Sequence, residues 1–207
     1  MEMENQSNRF TVATYNIRLD TFMDEQDQWV NRKENVKALI VNSEWDVLGL
    51  QEAKQNQLDD LKELADYQFV GLGRSDDENN EYNPIAFKPA RFALIESGTF
   101  WLSITPDIPS QAFEWQADCP RICTWVRLKQ KSNDKEFFFF NTHFDHISEE
   151  ARFQSALLIK KEIDNLAKNK PVFLTGDFNA DEKERWYDVI AASCRSISDL
   201  YRCRIFS

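Results

Sequence analysis

Nine residues, PVFLTGDFN from Pro171 to Asn179, constrain this chain more than any other stretch. Val172, Phe173 and Leu174, with Thr175 behind them, read as a short buried strand, and Gly176 ends the run where the backbone turns closely. Side chains alternate along extended backbone, so Asp177 and Asn179 should project together while Phe178 points into the core. An acid and an amide are then held side by side at the carboxyl end of a strand, where open sheets tend to bind ligands. The question becomes which other segments bring polar groups to the same place.

Taken in order, Phe10–Ile17 reads as a strand ending near Asn16, and Asp20–Asp27 as an acidic loop. A helix runs from Trp29 to Asn42-Ser43, with Val36, Leu39 and Ile40 on one face. Asp46–Leu50 is a second buried strand, running straight into Gln51-Glu52. Leu58, Leu61 and Leu64 mark a short helix, and Tyr67–Gly73 a third strand. Asp76–Asn83 is a loop of acids and amides. Pro84–Phe87 and Arg91–Leu102 read as a strand pair, followed by a long loop, Thr105–Cys119, of the kind that borders sites. Arg121–Leu128 alternates strictly, Lys131–Lys135 is a turn, and Glu136–Phe144 carries four consecutive phenylalanines before Asn141-Thr142-His143. Ser148 is placed to cap a helix whose inner face holds Phe153, Ala156, Ile159, Ile163, Leu166 and Ala167. A last helix is expected over Glu182–Ala192. Strands alternating with amphipathic helices, many strands being hairpin neighbours, indicate one α/β (α+β) domain over 1–207: a four-layer αββα sandwich of two packed mixed sheets with outer helices.

Composition narrows the function. The length of 207 residues suits a full core, and 16 Phe and 6 Trp indicate a packed globular protein. A net charge of -10, with no basic cluster longer than Lys160-Lys161, argues against long duplex DNA as a partner. Phosphates can still be handled through a metal ion. Cys119, Cys123, Cys194 and Cys203 form no Cys-x-x-Cys pair and have no histidine beside them, which argues against zinc and for reduced thiols in the cytoplasm. The polar, acidic N-terminus is no signal peptide, and no run approaches membrane length.

Four strand ends therefore carry chemistry-capable groups: Asn16, Glu52, His143, and Asp177 with Asn179. Two carboxylates and amide oxygens suit a hard cation such as Mg2+, with Mn2+ as an alternative. Each residue alone has a plainer explanation. Glu52 would be a solvated rim group, Asn16 a turn former and His143 a hydrogen-bonded interior histidine. Their recurrence at one end of four strands is what points to a site.

These same segments resemble the endonuclease/exonuclease/phosphatase superfamily. The matching pieces, in the family's order, are TYNIR at Thr14–Arg18, LGLQE at Leu48–Glu52, SGTFWLS at Ser97–Ser103, PRICTW at Pro120–Trp125, NTHFDH at Asn141–His146 and GDFN at Gly176–Asn179. The resemblance implies a metal-dependent phosphoesterase in which Glu52, with Asn16 beside it, holds Mg2+. Asp177 would orient or deprotonate the attacking water, Asn179 would hold a phosphate oxygen, and His143 would stabilise the transition state. It further implies an acid from the Asp76–Asn83 loop, Glu81, orienting His143. Arg121 and Arg74 would contact phosphate or fix the strands, and Asp145 and His146 would be packing or supporting residues.

One departure qualifies this. The family places an Asp-His pair on a late strand, whereas the histidines here are His143 and His146 and the chain stops at Ser207 shortly after Asp199-Leu200. The expectation is a C-terminally incomplete second sheet whose exposed edge could pair with another chain. The expected function is hydrolysis of a phosphodiester or phosphomonoester. The alternative is an impaired phosphate-binding or interaction module of the same fold.

Overall fold

The computed structural model describes residues 8–77, 80–195 and 204–206. Asp199-Leu200, Cys203 and residues 1–7, for which the sequence carries expectations, lie outside them. Two mixed sheets pack face to face. The first has the order β1 (Val12–Asn16), β2 (Val47–Gln51), β4 (Ile85–Phe87), β3 (Gln68–Val70). β1 and β2 are parallel, and β4 is antiparallel to both β2 and β3. The second runs β5 (Phe92–Trp101), β6 (Ile122–Gln130), β7 (Glu136–His143), β8 (Val172–Asp177), β9 (Arg204–Phe206). Its first three strands are antiparallel, and β7, β8 and β9 are parallel.

Helices α1 (Trp29–Asn42) and α2 (Gln55–Leu61) bury Trp29, Val36, Ile40, Leu58 and Leu61 against Leu48 and Leu50 on the outer face of the first sheet. α3 (Glu149–Ala167) and α4 (Arg185–Arg195) cover the second sheet through Ala156, Ile159, Ile163, Trp186 and Ile190. Ser148 caps α3, its hydroxyl accepting from the Ala151 amide at 3.1 Å. The four-layer αββα arrangement expected from the sequence is therefore present. The phenylalanine run shows how it is assembled. Phe137 and Phe139 enter the core between the sheets, while Phe138 and Phe140 face α3.

Several local expectations are corrected. Ile85–Phe87 and Phe92–Trp101 are strands but not a pair, for they belong to different sheets. Buried Asp46 draws the intervening turn around the corner: its carboxylate pairs with Arg91 at 2.5 Å, and its carbonyl accepts from the Lys88 amide. Residues Phe22–Asp27 form a 3-10 turn within the expected acidic loop. β6 is buried on both faces from Ile122 to Val126 despite its alternating sequence, because α3 and its neighbours cover its outer side there. Phe153 lies at the rim of α3 rather than in the inner row, under the Arg185 guanidinium 3.7 Å from its ring centre. A short strand that the sequence pattern did not indicate, β9, pairs with β8 over Phe173–Thr175.

Between the sheets the inward rows change character along the strands. An apolar tier holds Val12, Val47, Phe137, Phe139 and Phe173. Above it lies a hydrogen-bonded tier centred on fully buried Asn141. The Asn141 amide donates to the carbonyls of Leu50 at 2.7 Å and Pro84 at 3.1 Å, and its oxygen accepts from Gln51 Nε2 at 2.6 Å and Thr175 Oγ1 at 3.1 Å. Gly49 leaves the room for this, because a Cβ there would run into Asn141 Oδ1 and Thr175 Oγ1.

An Asn141→Leu change strands these buried donors and acceptors. We expect a loss of about 3 kcal/mol, read as a lowered midpoint in urea unfolding; a midpoint equal to wild type would contradict the role of this tier. Gly49→Ala should also lower the midpoint, by forcing the sheets apart.

Candidate active site

The next inward position on β1, β7 and β8, together with the residue that follows β2, supplies the site. Asn16 ends β1, His143 ends β7, Asp177 ends β8 and Glu52 directly follows β2. Glu52 has left-handed backbone, φ 62°, as do Arg18 at 57° and Asn179 at 52°. Non-glycine residues in this conformation concentrate at functional sites.

Glu52, His143 and Asp177 each offer a ligand atom within 4.8 Å of the others, a group able to hold a metal ion. Asn16 ties the carboxylates together, its Nδ2 donating to Glu52 Oε1 at 2.8 Å and Asp177 Oδ2 at 2.9 Å. Its oxygen accepts from the Arg18 amide. Asn16 thus shows N–H rather than oxygen to the cluster, and ligation would require its amide to turn over. The second Glu52 oxygen accepts from the Leu19 amide at 3.0 Å, with Arg18 Nη1 4.0 Å away. Two converging carboxylates and one imidazole fit a divalent cation that prefers oxygen.

Asn179 reaches the site by a different route from the one expected. The strand stops at Asp177, whose Oδ1 accepts the Asn179 amide at 3.0 Å, and the positive φ turns the side chain inward. Strand alternation plays no part. Asn179 Nδ2 donates to the Phe144 carbonyl at 3.0 Å and to His143 Nε2 at 2.9 Å. With Nε2 accepting, the imidazole proton sits on Nδ1, which is buried without a partner. Burial, aided by the Arg121 charge, holds the His143 pKa down to about 3.

Glu81 does not orient His143. It pairs with Arg74 at 2.7 Å, both side chains largely buried. Burial raises the Glu81 pKa, and Arg74 and Arg121 oppose that rise. Both lie along a cleft of about 330 Å³ that also reaches Glu52, His143, Cys119 and Arg121. Arg121 is 6 % exposed and donates through Nη2 to His146 Nδ1 at 3.1 Å, while its Nε has no partner. The sequence reading missed Arg18, which lies in the TYNIR segment it quoted, and Asp118, which lies in the long loop it placed beside a site; both line the cleft. Cys119 and Cys123 are free thiols, and burial raises both pKa values.

The endonuclease/exonuclease/phosphatase family model matches residues 13–193. The chain belongs to this family. Among solved structures, a family member from Bacteroides thetaiotaomicron is 39% identical with a TM-score of 0.84, covering 89% of this chain and 69% of that one. A mannosyl-6-phosphatase from the same organism is 38% identical with a TM-score of 0.85, covering 90% and 71%. An uncharacterized protein of Acanthamoeba polyphaga mimivirus is 30% identical over 171 residues, 75% of this chain, which spans only 61% of that protein's length.

The depressed His143 pKa has a sign that can be tested. Unfolded His143 binds a proton below its ordinary value near 6.5, whereas the folded one resists until about 3. Stability from this group is full above pH 6.5 and is lost as pH falls toward 3. His143→Asn should therefore flatten the decline of urea midpoint across that window in metal-free protein. An acid slope parallel to wild type would refute the assignment.

Proposed function

We infer that this family member is a divalent-metal-dependent phosphoesterase that cleaves a phosphomonoester or phosphodiester by in-line attack of water. The observation that carries this reading is the convergence of Glu52, His143 and Asp177 from strands of both sheets. Mg2+, or Mn2+ in its place, would be held by Glu52 and Asp177 and would neutralise charge on the non-bridging phosphate oxygens. Asp177 is the base that orients or deprotonates water. His143, neutral with its proton on Nδ1, is a hydrogen-bond donor to a phosphate oxygen, and Asn179 fixes that tautomer. Arg121 and Arg74 supply positive charge along the cleft; Glu81 holds Arg74 in place. The likeness to a mannosyl-6-phosphatase brings sugar phosphomonoesters into the candidate substrates. The net charge of -10 counts against long duplex DNA. Among the described residues no helix is long and apolar enough to cross a membrane.

A second reading, phosphate binding without turnover, is favoured by one contact. Arg121 holds His146 away from the carboxylate pair, so His143 is the one imidazole beside it among the described residues.

Hydrolysis of p-nitrophenyl phosphate and bis-p-nitrophenyl phosphate, with Mg2+, Mn2+ or chelator, separates the readings. We expect metal-stimulated turnover that falls at least ~100-fold in Glu52→Ala and in Asp177→Ala. Unchanged turnover in both variants would exclude the site. A metal-dependent rise in melting temperature without any turnover would establish the binding module instead.

A further inference from the structure

The cleft has a second polar end that the metal cluster does not use. Asp118 and His146 stand at its mouth, their side chains 58% and 49% exposed. Arg121 can only donate, so its bond to His146 Nδ1 leaves the imidazole proton on Nε2. That N–H lies 4.0 Å from Asp118 Oδ2, too far for a hydrogen bond. No hydrogen bond to the Asp118 carboxylate forms among the described residues. A fixed donor and a free anionic acceptor thus stand side by side, each with its bonding capacity unspent.

The pair is rigidly mounted. Asp145 is fully buried, and its carboxylate accepts from the amides of Asp118 at 2.9 Å, Ile147 at 3.0 Å and Ser148 at 2.8 Å. Burial opposes charge on Asp145, but these amides hold its pKa below the usual carboxylate value. Its own carbonyl accepts from Arg152, itself clamped by Glu184. One buried carboxylate therefore fixes the segments on both sides of the mouth. Arg121 beneath them is more than nine-tenths buried and keeps an unpartnered Nε in the cleft wall.

An adjacent donor and carboxylate match neighbouring hydroxyls, each of which both donates and accepts. We propose that Asp118 and His146 form a polyol subsite and that the substrate is a sugar phosphomonoester, its ring hydroxyls at the mouth and its phosphate at the cluster. This rests on the phosphoesterase reading and names its substrate class. The cleft volume of about 330 Å³ agrees, being near the lower end of small-molecule sites and suited to one ring rather than a polymer.

Binding without turnover tests this separately from catalysis. Mannose 6-phosphate, glucose 6-phosphate and cyclohexylmethyl phosphate, which has the ring but lacks its hydroxyls, are titrated calorimetrically into the whole chain with Ca2+ in place of Mg2+, with no phosphate release over the titration. The expected result is at least ~10-fold tighter binding of one or both hexose phosphates, because a site built for hydroxyls discriminates against their absence. That ratio should fall toward one in Asp118→Asn and in His146→Gln, each checked for an unchanged melting temperature. Equal affinities in wild type, no measurable binding of either hexose phosphate, or a ratio that survives both substitutions would overturn the subsite. Absence of hydrolysis with Mg2+ or Mn2+ alongside a wild-type ratio that both substitutions abolish would overturn only the phosphoesterase reading.

Discussion

The hydrogen bonds of Asn141 across the sheet interface are the constraint from which the site follows. Apolar packing between sheets is non-directional and tolerates sliding. Asn141 removes that freedom by joining β7 to the Leu50 and Pro84 carbonyls and to Gln51, with Thr175 on β8 sharing its oxygen. Two residues further along β7 and β8, on the same face, lie His143 and Asp177, and Glu52 directly follows Gln51 at the end of β2. A shift of one residue would turn those side chains to the opposite face. The polar tier thus sets the separation of ligands that belong to different sheets, and Gly49 admits it by having no side chain.

Bringing two carboxylates together has an electrostatic cost that the surroundings offset in part. Asn16 places one N–H on each, the Leu19 amide serves the second Glu52 oxygen, and the Arg18 guanidinium stands 4.0 Å off. Arg18 is itself held by Asp24 through two hydrogen bonds, so its charge is shared. None of these groups neutralises the pair as fully as a divalent ion would, which is the physical argument for metal affinity. Arg121 and Arg74 act on the other wall, where they help keep His143 uncharged. The imidazole stays neutral beside the two carboxylates because burial and these guanidinium charges both act against its protonation.

How much of this the sequence disclosed depends on how local the cause is. The sheets, the outer helices and the strand-end residues were legible because apolar runs that stop at polar groups are local signals. The turn between Phe87 and Phe92 was misread as a hairpin connection because its direction is set by Asp46, more than forty residues away in the chain. Glu81 was assigned to His143 on the strength of resemblance, yet loop geometry gives it to Arg74. Asn179 stands beside His143, but an Asx turn rather than strand alternation directs it there. Asn141 was quoted within NTHFDH, but its role as a hub depends on carbonyls from the other sheet, which no pattern in its own segment encodes.

The cleft divides its tasks between its ends. At the deep end, strand termini carry charges whose positions are set by sheet register, and that geometry can serve any phosphoester. At the mouth, Asp118 and His146 sit on loop segments held by Asp145, a carboxylate that lies outside the metal cluster. Loops tolerate change better than strands. A replacement at Asp118 or His146 therefore leaves the sheet register intact, whereas one at Asn141 or Gly49 disturbs both sheets. Selectivity among phosphoesters can then vary at the mouth while the chemistry at the strand ends stays fixed.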